Sequence, residues 1–184
     1  MEGRNTLEWR ATRGPAYPVA EMETECNEHR PLNVWSQSSE EIGRLMSNFA
    51  HTLFTMDGTE YAGIEAFYAC LFIQDPARRE RVRRMYGVRA KHEIPKRKPE
   101  TFLYLDQAIG VGSTEHFALV KRAIRAKLRD HPAIAAAFVA TRPRPIQHET
   151  GHPDPPDSEF PKQVYCRLLH ELREELANEE ARAG

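Results

Sequence analysis

Hydrophobic and polar positions divide the chain into a patternless start and a periodic remainder. Residues 1–30 show no sustained period and carry Gly14, Pro15 and Pro18, which reads as a mobile or loosely packed extension. Leu32 to Ser36 (LNVWS) then has the short apolar character of a strand, and Thr52 to Met56 (TLFTM) has it again. Asp57-Gly58 is a turn dipeptide, so a hairpin is predicted to run back through Glu60 and Tyr61. At that point the period changes. Ile64, Phe67, Tyr68, Leu71 and Phe72 fall at helix spacing and predict a buried helix.

Asp75-Pro76 places a cap before a proline at the first helical position, predicting a second helix to about Tyr86. From His92 to Gly112 no period is clear. Ser113 suits the cap of a third helix with Phe117, Val120, Ile124 and Leu128 on one face, and His131-Pro132 breaks it to start a short alanine-rich helix. Residues 142–161 are rich in proline and polar residues, which predicts a long loop. A last helix carries Tyr165, Leu168, Leu169, Leu172 and Leu176. The expected architecture is α+β and mostly α-helical: one domain over 31–178 with a small β-hairpin or sheet, then a tail over 179–184.

Composition changes this picture little. A chain of 184 residues, 40% hydrophobic and 29% charged, is ordinary for one globular domain. Its 26 Lys plus Arg against 27 Asp plus Glu argue against a protein that coats nucleic acid or lies on a membrane. The opening MEGRNTLEWR lacks the apolar run of a secretory signal, and the longest apolar stretch, Ala133 to Ala140, is too short to span a bilayer. Cys26, Cys70 and Cys166 have no paired spacing and read as reduced thiols. A cytoplasmic location is the expectation.

Three features bear on chemistry. Glu65 follows Gly63 in the first turn of the predicted buried helix, with Tyr68, Ala69 and Phe72 on the same side. A carboxylate at the margin of a buried stripe is partly desolvated, which raises its pKa and suits acid–base work, while the helix N-terminus pulls the other way. A glutamate that merely serves the helix dipole fits the same spacing. Second, His148 to His152 reads HETGH, a match to the zinc-hydrolase pattern H-E-x-x-H, with Glu171 or Glu174 as an imaginable third ligand. That pattern needs both histidines on one helix face, and Gly151, Pro153, Pro155 and Pro156 oppose a helix there, so no metal is expected. Third, residues 78–98 hold ten basic side chains against Glu80 and Glu93, a local positive field able to hold phosphates, although most such arginines line a solvated helix face. There is no P-loop, G-x-G-x-x-G or nucleophile elbow, so phosphate binding would fall to side chains and helix termini.

Met46 to Phe72, MSNFAHTLFTMDGTEYAGIEAFYACLF, resembles the NADAR (YbiA-like) family. That family carries an L-S-N-F segment, a hairpin with a D-G turn, and a Y-x-x-x-E-x-x-Y-x-x-x-K-F helix. Ser47, Asn48, Phe49, Asp57, Gly58, Tyr61, Glu65, Tyr68 and Phe72 match as they stand. LNVWS, Asp75-Pro76 with its arginine-rich helix, Ala90-Lys91, His131-Pro132 and the closing LLHELREEL follow the layout, so the similarity covers about residues 31–178.

The resemblance implies hydrolysis of an N-glycosidic bond in a nucleotide-type N-riboside, without a cofactor. Such substrates range from phosphoribosylated riboflavin-pathway intermediates to ADP-ribose on a guanine base, either free or carried on nucleic acid. It implies Glu65 as the catalytic carboxylate, Asn48 on ribose or phosphate, and Phe49, Tyr68 or Trp35 stacked on the base. Three departures stand out. Leu71 replaces the family's pocket lysine, Ala66 replaces its usual histidine, and the late Trp-Gly pair is absent, with Asp154 or Asp157 as relics of that stretch. Lys91 is the amine placed by pattern to take over from the missing lysine. A nucleotide-binding module without catalysis is the second expectation, and a zinc hydrolase the third.

Overall fold

The computed structural model describes residues 30–155 and 158–183. Residues 1–29, which make up nearly all of the expected extension and include Cys26, lie outside the described residues, as does Asp157. Among the described residues the chain forms seven helices and three two-stranded sheets, a helix-dominated α+β fold.

The fold is organised around α5 (Thr114–Asp130), which packs against α2 (Ile64–Leu71), α6 (Pro132–Ala140), α7 (Lys162–Ala183) and the hairpin strand β2 (Phe54–Met56). Its start is fixed as the sequence suggests, with Ser113 Oγ accepting the His116 N–H. Val120, Ile124 and Leu128 are buried on its inner face, while Phe117 is half-buried. Around this helix Ile64, Phe67, Ile134, Phe138, Leu169 and Leu172 close one contiguous core.

β2 pairs antiparallel with β3 (Thr59–Tyr61) through the Asp57-Gly58 turn, both residues at positive φ. The hairpin buries Phe54 against Tyr61 and Phe67, with ring centroids 5.6 and 6.4 Å away. Asp75 caps α3 (Pro76–Val82) by accepting the Arg78 N–H; that helix stops short of Tyr86, and a separate turn of helix, α4 (Gly87–Lys91), follows.

Three elements differ from the expectations. The Leu32 to Ser36 segment contributes only β1 (Leu32–Asn33) to a sheet, and its parallel partner is β6 (Ile146–Gln147), inside the proline-rich segment expected to be loop. The Asn33 side chain extends that pairing by bonding both backbone groups of Glu149. A second antiparallel hairpin, β4 (Thr101–Tyr104) with β5 (Gln107–Gly110), fills the stretch with no clear period. Its turn is made by Leu105 and Asp106, both left-handed, so it carries no glycine signal. Finally, α7 runs on to Ala183, past residue 178.

A short helix, α1 (Glu41–Met46), lies tight against β1. A Cβ on Gly43 would sit 2.3 Å from the Asn33 carbonyl oxygen, so only glycine fits that approach. Among the described residues no helix is long and apolar enough to cross a membrane.

Candidate functional site

The site is built where the end of α1 meets the start of α2. Two buried side chains hold the last carbonyls of α1: Lys127 Nζ donates to Leu45 O at 2.5 Å, and Tyr165 Oη donates to Met46 O at 3.0 Å. The chain then turns through Ser47, Asn48 and Phe49, with the Phe49 N–H bonded to Ser47 Oγ. Gly63, the residue before α2, lets this turn come close, since a Cβ there would lie 2.5 Å from Ala50 O. The Glu65 N–H accordingly reaches Asn48 O at 3.1 Å. A small residue at 63 thus places the first turn of α2, and its carboxylate, against the Asn48 segment.

Glu65 is buried, with 8% of its surface exposed. Burial pushes its pKa up to about 7, and the ammonium groups of Lys91 and Lys98 oppose that rise without cancelling it. Lys91 projects over the Phe49 ring at 5.6 Å, and Lys98 over the rings of Tyr68 and Phe72 at 5.7 Å each. Two polar atoms of the same cluster, Asn48 Oδ1 and Tyr68 Oη, are buried without a hydrogen-bond partner among the described residues. Buried polar groups of this kind are uncommon in folded proteins, and a bound water, an ion or a functional role accounts for them. The Tyr68 phenol is pushed well above its ordinary pKa by burial and by the charges of Glu159 and Glu65, so it remains a proton-bearing donor.

His116 forms the far wall, its ring stacked on Tyr68 at 5.5 Å. Its Nδ1 accepts the Gly112 N–H, so the neutral ring bears its proton on Nε2, which is buried without a partner among the described residues. Burial, then the Lys98 charge, lowers its pKa to about 4, so the ring is neutral near pH 7. Phe160 packs on both Tyr68 and His116 and joins this wall to Tyr165.

Five of the six residues expected at the site, Asn48, Phe49, Glu65, Tyr68 and Lys91, therefore belong to one cluster. The sixth, Trp35, is half-buried in the turn after β1. It is linked to the cluster only indirectly, through Val34, whose carbonyl meets the His148 ring, which packs edge-on against Tyr165. Lys98, His116, Glu159 and Phe160 were not singled out for the site. Lys98 lay within the basic run, but nothing in the spacing separates it from its neighbours. Counted along the resembled family's motif, the lysine four residues after Tyr68 falls on Phe72 rather than on Leu71, and both side chains are buried in the core. Asp154 accepts the Lys162 N–H at the start of α7.

Four of the ten basic residues in the stretch pair with its own two glutamates. Arg78 and Arg81 meet Glu93, and Arg83 and Arg84 meet Glu80. The HETGH segment is not helical, and His148 Nδ1 lies 2.5 Å from Val34 O, so the helix face a zinc pair would need is missing. A cavity of about 170 Å3 between His51, Tyr61, Arg83 and Tyr86 contains no member of the Glu65 cluster.

Residues 41–174 match the protein family described as bacteriophage protein GP30.3. The chain belongs to that family. The matched span of the GP30.3 family begins at α1 and ends within α7, so it includes every residue of the Glu65 cluster. No curated protein matches the sequence. Among solved structures, the GP30.3-family chain is similar to the NMR structure of the Escherichia coli protein YbiA, with a TM-score of 0.63 and 23% sequence identity over 89% of this chain and 95% of that one. That likeness is one of fold, and it falls on the fold that the resemblance of residues 46–72 implies.

Proposed function

We propose that this GP30.3-family protein is an N-glycosidase acting on a nucleotide-type N-riboside, with Glu65 as its catalytic carboxylate. The observation that carries the reading is a buried carboxylate, under two lysine charges, in a cluster where Asn48 Oδ1 and Tyr68 Oη have no hydrogen-bond partner among the described residues. Cleavage of an N-glycosidic bond develops positive charge on the ribose carbon. A carboxylate held out of bulk water steadies that charge strongly, because the local dielectric is low. The same group can accept the proton of the attacking water, and a pKa near 7 suits that exchange.

In this reading Asn48 and Tyr68 satisfy their free atoms on ribose hydroxyls. Phe49 offers a face to the base, and Lys91 and Lys98 receive the phosphates. Trp35 is proposed as a further stacking residue at the margin. The reaction needs no cofactor. Incubation with an ADP-ribosylated guanosine, with chromatographic detection of the released guanosine and ADP-ribose, tests the proposal. Release by the parent and its loss in Glu65→Gln is the expected outcome, and an inert parent refutes the glycosidase reading.

A second reading, a module that binds the nucleotide without turnover, is favoured by one observation: Phe72, an apolar side chain buried in the core, occupies the place of the lysine in the resembled family's motif. Tight binding of ADP-ribose, with no guanosine released from the ADP-ribosylated guanosine over long incubation, would select it.

A further inference from the structure

Lys98 is paired with Glu159, a residue that has no role in the chemistry above. Lys98 Nζ meets Glu159 Oε2 at 2.9 Å, with side chains 19% and 41% exposed. The ammonium is fixed by the Tyr68 and Phe72 rings beneath it. The main chain at Glu159 is held from the other side, because Phe160 is wedged among Tyr68, His116 and Phe117, while the Glu159 backbone packs on Gly112. Glu159 therefore adds a negative charge, besides that of Glu65, on the lysine side of the cluster, where Lys91 and Lys98 suit an anion. Its charge is felt at the Tyr68 phenol, whose hydroxyl is one of the orphaned groups.

We propose that Glu159 is an internal competitor: in the free protein its carboxylate occupies, on Lys98, the position that a phosphate oxygen of the ligand takes. The inference rests on the nucleotide-type reading of the site and names the group that receives the ligand's charge. An ion pair as exposed as this one stabilises the protein by well under about 1 kcal/mol, so it exchanges readily. A diphosphate carries more charge and more acceptor oxygens than a carboxylate, and it displaces the glutamate from Lys98. The exchange favours multiply charged phosphates over monoanions, which makes the pair a specificity device as well as a placeholder.

The test is calorimetric titration of the parent, Glu159→Gln, Lys98→Met and the double variant with inorganic pyrophosphate and with ADP-ribose, the fold of each being checked by circular dichroism. Glu159→Gln is expected to tighten both ligands roughly two- to fivefold, the range of a partly exposed pair. Lys98→Met is expected to weaken both about tenfold, as for loss of a charge-assisted contact. The gain from Glu159→Gln should shrink in the Lys98→Met background, since there is then nothing to compete for. Equal gain in both backgrounds would show bulk charge alone, and unchanged or weaker binding by Glu159→Gln would make the glutamate a contact or a bystander. Either result overturns the proposal, as does a parent and Glu159→Gln variant that bind neither ligand. Failure of hydrolysis with the binding pattern intact removes only the glycosidase reading.

Discussion

Replacing Glu65 by glutamine should stabilise the protein at alkaline pH while removing its proposed activity. The carboxyl is 8% exposed, and its pKa is pushed to about 7 from an ordinary 4.5. The folded state therefore holds the proton more tightly than the unfolded chain. The stability this contributes is complete below pH 4.5 and is lost as pH rises through about 7. A difference of roughly 2.5 units, at about 1.36 kcal/mol each, amounts to about 3 kcal/mol. Glutamine keeps the shape and does not titrate. Relative to its offset at pH 4.5, Glu65→Gln should gain stability from pH 5 to 7 and then hold a constant advantage of about 3 kcal/mol over the parent. For a domain of this size that is on the order of 6–12 °C in melting temperature. Urea unfolding at half-unit steps from pH 4.5 to 8.5, with the m-value compared at each, reads the effect. Parallel pH curves for parent and variant would refute the burial argument. Greater stability together with lost turnover would mark a charge kept for function at the expense of the fold.

Three further outcomes follow from the same geometry. Gly63→Ala should destabilise by about 1–3 kcal/mol and weaken ADP-ribose binding, because its Cβ would meet Ala50 O at 2.5 Å and push the Asn48 turn off α2; unchanged melting and affinity would show that the approach is not tight. Lys127, fully buried on Leu45 O with its pKa lowered by burial to about 7, leaves the unfolded chain holding more protons between pH 7 and 10.5. The parent should therefore gain stability over that window while Lys127→Met stays flatter, and identical slopes in denaturant series would contradict it. Lys91→Ala should weaken ADP-ribose binding in calorimetry by more than the few-fold of a simple surface charge, and equal affinity would remove Lys91 from the site.

The elements readable in advance were those with a strong local signal. Asp57-Gly58, Asp75-Pro76, Ser113 and His131-Pro132 each act through backbone chemistry that depends on few neighbours, and each sits where that chemistry requires. The Glu65 cluster was partly readable, since helix spacing places Tyr68 on the side of Glu65 and the motif resemblance adds Asn48 and Phe49. What escaped depends on tertiary partners. β6 is two residues long between prolines and exists as a strand only because β1 lies beside it. The β4–β5 turn uses Leu105 and Asp106 in left-handed conformation, so no glycine marks it in the sequence. His116 looks like one more polar position on α5, and only the packing of Tyr68, Phe102 and Phe160 around it shows that it is a wall of the site.

In the proposed reaction a buried carboxylate with a pKa near 7 breaks an N-glycosidic bond. Its most direct test is the pH dependence of kcat/KM for an ADP-ribosylated guanosine, measured for the parent and for Glu65→Gln from pH 5 to 9. If ionised Glu65 steadies the ribosyl cation or activates water, the parent rate should rise about tenfold per pH unit below a break near 7 and level above it, while the variant shows at most a residual rate without that break. A parent profile flat through neutrality, or a variant that turns over at the parent rate, would contradict the account.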